Sequence, residues 1–137
     1  FPMKKIVING LIAGLLLSVI CYGGLFAAIT FFPQIFVEYN NPLFNSDGSR
    51  DIMFYAHAFI ISFALSWFWE RFKSMFKGNF ILRGLEFGAV YSIIALVPVM
   101  WISFSALDIT VLMVSSWLVY GLIQAIVAGI LFAKISP

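Results

Sequence analysis

Four side chains in this strongly apolar sequence have the chemistry to hold a ligand or pass a proton: His57, Glu86, Tyr120 and Gln124. An imidazole titrates near neutral pH and ligates metals or haem. A carboxylate within an apolar helix can exchange protons or cations. A phenol and an amide can line a pathway or hydrogen-bond a bound molecule. Each also has a plainer reading. His57 is the single histidine, so a bis-histidine haem site would need a second chain; its expected place is a hydrogen bond to another helix or to a loop. Glu86 follows Arg83 by three residues on the same side of a helix, so an Arg83–Glu86 pair or exposure at headgroup depth accounts for it. Gln124 shares a face with Trp117 and Tyr120. An interhelical hydrogen bond is its expected use, and a pore or pocket lining is the alternative.

Other chemistry lacks its pattern. Cys21 is the only cysteine and sits in an apolar run, so neither a disulfide framework nor a cysteine-based metal site can form within the chain. Glu38, Asp47 and Asp51 do not have the spacing of a calcium loop. There is no nucleotide loop, paired catalytic carboxylates or Ser/His/Asp set. No metal, cofactor or nucleic-acid partner is expected. Membrane lipids, a second copy of the chain or another membrane protein are the partners the composition suits.

The elements that must carry these residues follow from hydropathy. Among 137 residues, 63% are hydrophobic and 10% charged, against about 25% charged in soluble domains. Four apolar runs stand out, at about 6–32, 52–69, 81–104 and 109–132. Crossing a hydrocarbon core of about 30 Å takes roughly 20 helical residues. The expected fold is therefore an all-α integral membrane protein, a single domain of four transmembrane helices in a compact antiparallel bundle. Met3-Lys4-Lys5 has the character of a natural start, with Phe1-Pro2 read as a remnant before it. The first run far exceeds a signal-peptide core of roughly 7–15 residues, so it counts as a span.

Charge sets the expected orientation. Lys4, Lys5, Arg71, Lys73, Lys77, Arg83 and Lys134 fall on one side of the four spans, whereas Arg50 falls on the other with Glu38, Asp47, Asp51 and Asp108. The positive-inside rule places both termini in the cytoplasm, at a bacterial cytoplasmic (inner) membrane. The inner linker 70–80, "ERFKSMFKGNF", brings Phe72, Met75 and Phe76 to one face. It reads as an interfacial helical turn, with Arg71, Lys73, Lys77 and Arg83 near anionic lipid phosphates. In the outer loop 33–51, Pro33 ends the first helix, and Asn40-Asn41-Pro42 and Asn45-Ser46-Asp47-Gly48 are turn signals. Ile35, Phe36, Leu43 and Phe44 are expected on the membrane surface or capping the bundle.

Small residues four apart mark packing seams: Gly10, Gly14 and Ser18; Gly84, Gly88 and Ser92; Gly121, Ala125 and Gly129. Their partners can lie in the same chain or in another. "NGLIAGLLLS" and "RGLEFGAVYS" match in their small residues, which raises a duplicated helical hairpin, although the outer loops differ greatly in length and the second and fourth spans do not align. In the second span, Tyr55, Ala58, Ser62, Ser66 and Trp69 form the expected packing stripe, with His57 facing away. Pro98 should kink the third span.

The functional reading is a small, non-enzymatic inner-membrane protein: a helix-packing, partner-binding or accessory subunit. A small oligomeric transporter or channel built on His57, Glu86 or Gln124 is the alternative. A lipid-headgroup enzyme using His57 and the outer loop comes third.

Overall fold

A computed structural model describes residues 2–44 and 47–137. It is helical with no strand among the described residues. The elements are α1 (Met3–Phe31), α2 (Gln34–Val37), α3 (Asp51–Phe72), α4 (Phe80–Tyr91), α5 (Val97–Ala106) and α6 (Val111–Ile135). Short 3-10 turns at Glu38–Asn40 and Lys73–Met75 follow α2 and α3, and a π-helical segment, Ser92–Leu96, joins α4 to α5. Four stretches are long and apolar enough to cross a membrane: Met3–Phe31, Asp51–Met75, Phe80–Ala106 and Val111–Ile135. The second is longer than its apolar run because the helix continues through Glu70, whose charge is answered locally.

Helix ends follow local chemistry. Pro33 stops α1 just before α2. Asn79 caps α4 by accepting from Leu82 N at 2.9 Å, and Thr110 caps α6 by accepting from Met113 N at 3.2 Å. Pro98 lies in the first turn of α5, directly after the π segment. The wide π turn thus falls where proline's missing N–H leaves a carbonyl of the preceding turn without its usual donor.

Two helix pairs dominate the packing, α1 with α3 and α4 with α6, and α6 also touches α1 and α3. The seams explain both pairs. A Cβ on Gly10 would fall 2.4 Å from the Phe63 ring, and one on Gly14 would fall 2.3 Å from the Phe59 ring. On the other pair, a Cβ on Gly84 would lie 2.6 Å from Ile130 N, and one on Gly129 would lie 3.0 Å from the Gly84 backbone. These seams therefore meet partners in the same chain. Backbones this close gain dispersion contacts, which lipid does not compete away as it does the hydrophobic drive.

A buried aromatic cluster fills the end where both termini lie. Trp69 of α3 stacks on Phe76 (centroids 5.8 Å apart, interplanar angle 8°) and meets Phe87 of α4 and Phe132 of α6. Phe76 is buried, so it does not share an exposed face with Phe72 and Met75 as the spacing predicts. The linker leaves the 3-10 turn extended at Phe76 and drops the ring inward.

Polar groups lock this end. Glu70, its side chain 3% exposed, pairs with Lys73 at 3.0 Å and with Lys5 at 4.0 Å, and accepts a hydrogen bond from Ser136 Oγ. Trp69 Nε1 donates to the Ser136 carbonyl at 2.9 Å. Ser66 Oγ donates to the Ile6 carbonyl at 2.9 Å. The Arg83 guanidinium lies 4.8 Å over the Trp69 ring and donates to the carbonyls of Lys73, Phe76 and Pro137. An Arg83–Glu86 pair is therefore not formed. Carbonyls just after α3 and in the linker offer the guanidinium several acceptors at once, Lys73 O sharing its second lone pair with the Phe76 N–H. Of the four expected lipid-contacting cations, Lys73 and Arg83 are engaged by the protein, and Lys77 lies exposed.

Candidate functional site: a cavity at the loop end

The opposite end is held open. The outer loop crosses the ends of α1 and α6 and is pinned by two contacts. Tyr39 OH accepts from Trp117 Nε1 at 2.7 Å, and the Glu38 carboxylate accepts from both the Thr110 hydroxyl and its backbone N–H. Glu38 thereby adds negative charge at the α6 N-terminus, where the helix dipole favours it. Tyr39, Phe44 and Trp117 form an aromatic chain, with centroids 4.8 Å and 6.4 Å apart.

Beneath this strap lies a cavity of about 510 Å³, within the range of small-molecule sites. α1 supplies Cys21, Gly24, Leu25 and Ala28, which share one helical face. α6 supplies Ser116, Trp117 and Tyr120. The loop adds Ile35, Phe36, Tyr39 and Phe44, and Arg50, Asp51 and Phe54 complete the wall. Small side chains on α1 make the room: a Cβ on Gly24 would already sit 3.7 Å from the Tyr120 ring. Thus Ile35, Phe36 and Phe44 cap the helices, whereas Leu43 is exposed.

Most of the wall is apolar, and its polar groups are few. The Tyr120 hydroxyl is buried, with the Cys21 thiol as a weak hydrogen-bonding neighbour. A thiol is a poor partner, so the hydroxyl keeps donor capacity for a bound acceptor. Arg50 is exposed at the rim, and among the described residues it forms no ion pair. Asp47 lies farther out, where the hydroxyl and the N–H of Ser49 hold its carboxyl below the ordinary value; the N–H donates at 2.9 Å.

The four residues singled out from the sequence do not converge. Tyr120 lines the cavity. Gln124 lies one turn deeper on α6, 3% exposed, with its Nε2 lacking a partner. His57 is exposed on the outer face of α3, away from the cavity and without a hydrogen bond among the described residues. The expected tie to a helix or loop is absent because the buried stripe of α3, Ala58, Ser62, Leu65, Ser66 and Trp69, lies on its other side. Glu86 is exposed in a separate cleft near the opposite end.

Several members of this site escaped sequence reasoning. Arg50 and Glu38 read as loop charges, and Cys21 as a packing side chain. A usable signal was the 21, 24, 25, 28 spacing of small and apolar residues on α1, set opposite the Trp117 and Tyr120 spacing on α6. Comparison with protein-family models, curated proteins and solved structures gives no match.

Proposed function

We propose that this chain is a small integral protein of a bacterial cytoplasmic membrane, with both termini cytoplasmic, that binds an amphipathic molecule in its outer cavity. Binding rather than chemistry is the role this reading assigns it. The observation that carries it is the cavity itself: aromatic and aliphatic walls, a buried Tyr120 hydroxyl that meets only the weak Cys21 thiol, and Arg50 and Asp51 in the wall. Apolar walls with a few placed polar groups are the usual composition of a ligand site. The position of the cavity at the loop end suits a molecule that enters from the membrane. Wet polar surface is scarce there, because Glu38 is engaged with Thr110 and Tyr39 with Trp117.

Trp117 makes the reading testable. Purified protein is titrated with a brominated single-chain amphiphile, and tryptophan emission is followed. Saturable quenching that is lost on Trp117→Phe is expected. Ala28→Phe, which fills the cavity from α1 without adding a tryptophan, should weaken the apparent affinity at least about tenfold, equivalent to about 1.4 kcal/mol. Quenching that rises linearly without saturation, or that survives Ala28→Phe unchanged, would rule out the cavity as a binding site.

A further inference from the structure

The second cleft lies between α3 and α4, with a volume of about 360 Å³. It contains one charged group, Glu86. Val90 and Ile94 follow it at intervals of four and continue its face of the helix. Phe68, Phe72 and Phe76 form the facing wall. Among the described residues no cation lies within ion-pair reach of Glu86, and the nearest candidate by sequence, Arg83, is committed to backbone carbonyls and Trp69.

An unpaired carboxylate beside phenylalanine side chains is an arrangement that suits an ammonium group: the carboxylate supplies charge and the exposed Phe72 ring offers cation–π attraction, whereas Phe76 is buried against Trp69. Helical side chains lean toward the helix N-terminus, so Glu86 leans toward the Asn79 cap and the linker, at the end that carries the termini. From there the groove along Val90 and Ile94 runs away from the linker and is wholly apolar. A head that is cationic and a tail that is hydrocarbon fit that order of surfaces. We infer that the cleft binds an amine-headed zwitterionic phospholipid, with its ammonium group on Glu86 and one acyl chain in the groove past Val90 and Ile94. This site rests on the membrane-spanning reading but not on ligand binding at the outer cavity.

Native mass spectrometry tests it on protein released from a neutral detergent. The protein is mixed with equal amounts of phosphatidylethanolamine and phosphatidylglycerol. Phosphatidylethanolamine adducts are expected to predominate, and Glu86→Gln should reduce that preference by roughly three- to tenfold. Ile94→Trp, at an exposed position, fills the groove without touching the core and should lower phosphatidylethanolamine adducts while the protein melts as before. It also serves if Glu86→Gln folds poorly. Equal adducts of the two lipids in the natural chain, or a preference unchanged in both variants, would overturn the assignment. Loss of quenching at Trp117 bears only on the outer cavity and leaves this result standing.

Discussion

The glycines of the seams are not equivalent, because what each faces differs in its freedom to move. At Gly84 an added Cβ meets main-chain atoms, Ile130 N at 2.6 Å and Ile130 Cα at 2.8 Å, so the helices themselves would have to part. At Gly10 the closest atoms belong to the end of the Phe63 ring, which can rotate, although Phe63 Cα follows at 3.3 Å. At Gly23 nothing lies within 4 Å. Gly84→Ala should therefore cost about 1–3 kcal/mol, and Gly10→Ala less. Gly23→Ala should be neutral or stabilise by up to about 1 kcal/mol through helix propensity. Thermal unfolding in one detergent checks the order, and a Gly23→Ala as damaging as Gly84→Ala would contradict it. The seams were visible in the sequence, since spacing by four survives any context. Their partners were not, because a small residue does not specify what approaches it. Glu70 shows the converse. It reads as one charge in a basic linker, and only the return of Ser136 and Lys5 to the same place turns it into a buried lock.

At the scale of elements, the linker between α3 and α4 separates two physical pictures. As an interfacial turn, Phe76 would sit at headgroup depth, and its removal would change little. In the folded chain it is 5% exposed, stacked on Trp69 and edge-on to Phe87. Phe76→Ala should then cost about 2–4 kcal/mol, as a large-to-small change in a packed core does. Phe72→Ala, on a half-exposed ring of the same linker region, should cost less than about 1.5 kcal/mol. Equal, small effects would return the linker to the membrane surface. Periodicity misled here because Phe72 and Phe76 are four apart, yet the helix ends between them. The 3-10 turn and the extended Phe76 break the register, and local composition carries no trace of that turn. The third span was more legible. Pro98 announces a disturbance, and the structure resolves it as a π segment whose Leu96 side chain reaches Gly121.

For the whole molecule, the two helix pairs repeat one register. Gly10 and Gly14 face Phe63 and Phe59; Gly84 and Gly88 face Ile130 and Ile126. Buried positions 58, 62, 65, 66 and 69 of α3 recur at 125, 129, 132, 133 and 136 in and just after α6. Residue types differ at these places, Trp69 against Ser136 for example, so pattern matching of the second and fourth spans could not find the correspondence that backbone geometry reveals. Two hairpins in the same sense bring the chain ends together, and the Lys5–Glu70–Ser136 contacts hold them at one end. For a chain whose four helices cross a membrane, that geometry puts both termini on one side, and the proposal that this side is the cytoplasm rests on the lysines and arginines alone. Reporter fusions separate the two steps. Green fluorescent protein joined before Met3 or after Pro137 should fluoresce in both cases, whereas alkaline phosphatase should be active only when inserted in the outer loop near Ser49. Termini reporting opposite sides would refute the paired-hairpin fold. Termini both reporting the outside would leave the fold intact and overturn only the orientation, and with it the leaflet whose lipid ammonium group would meet Glu86.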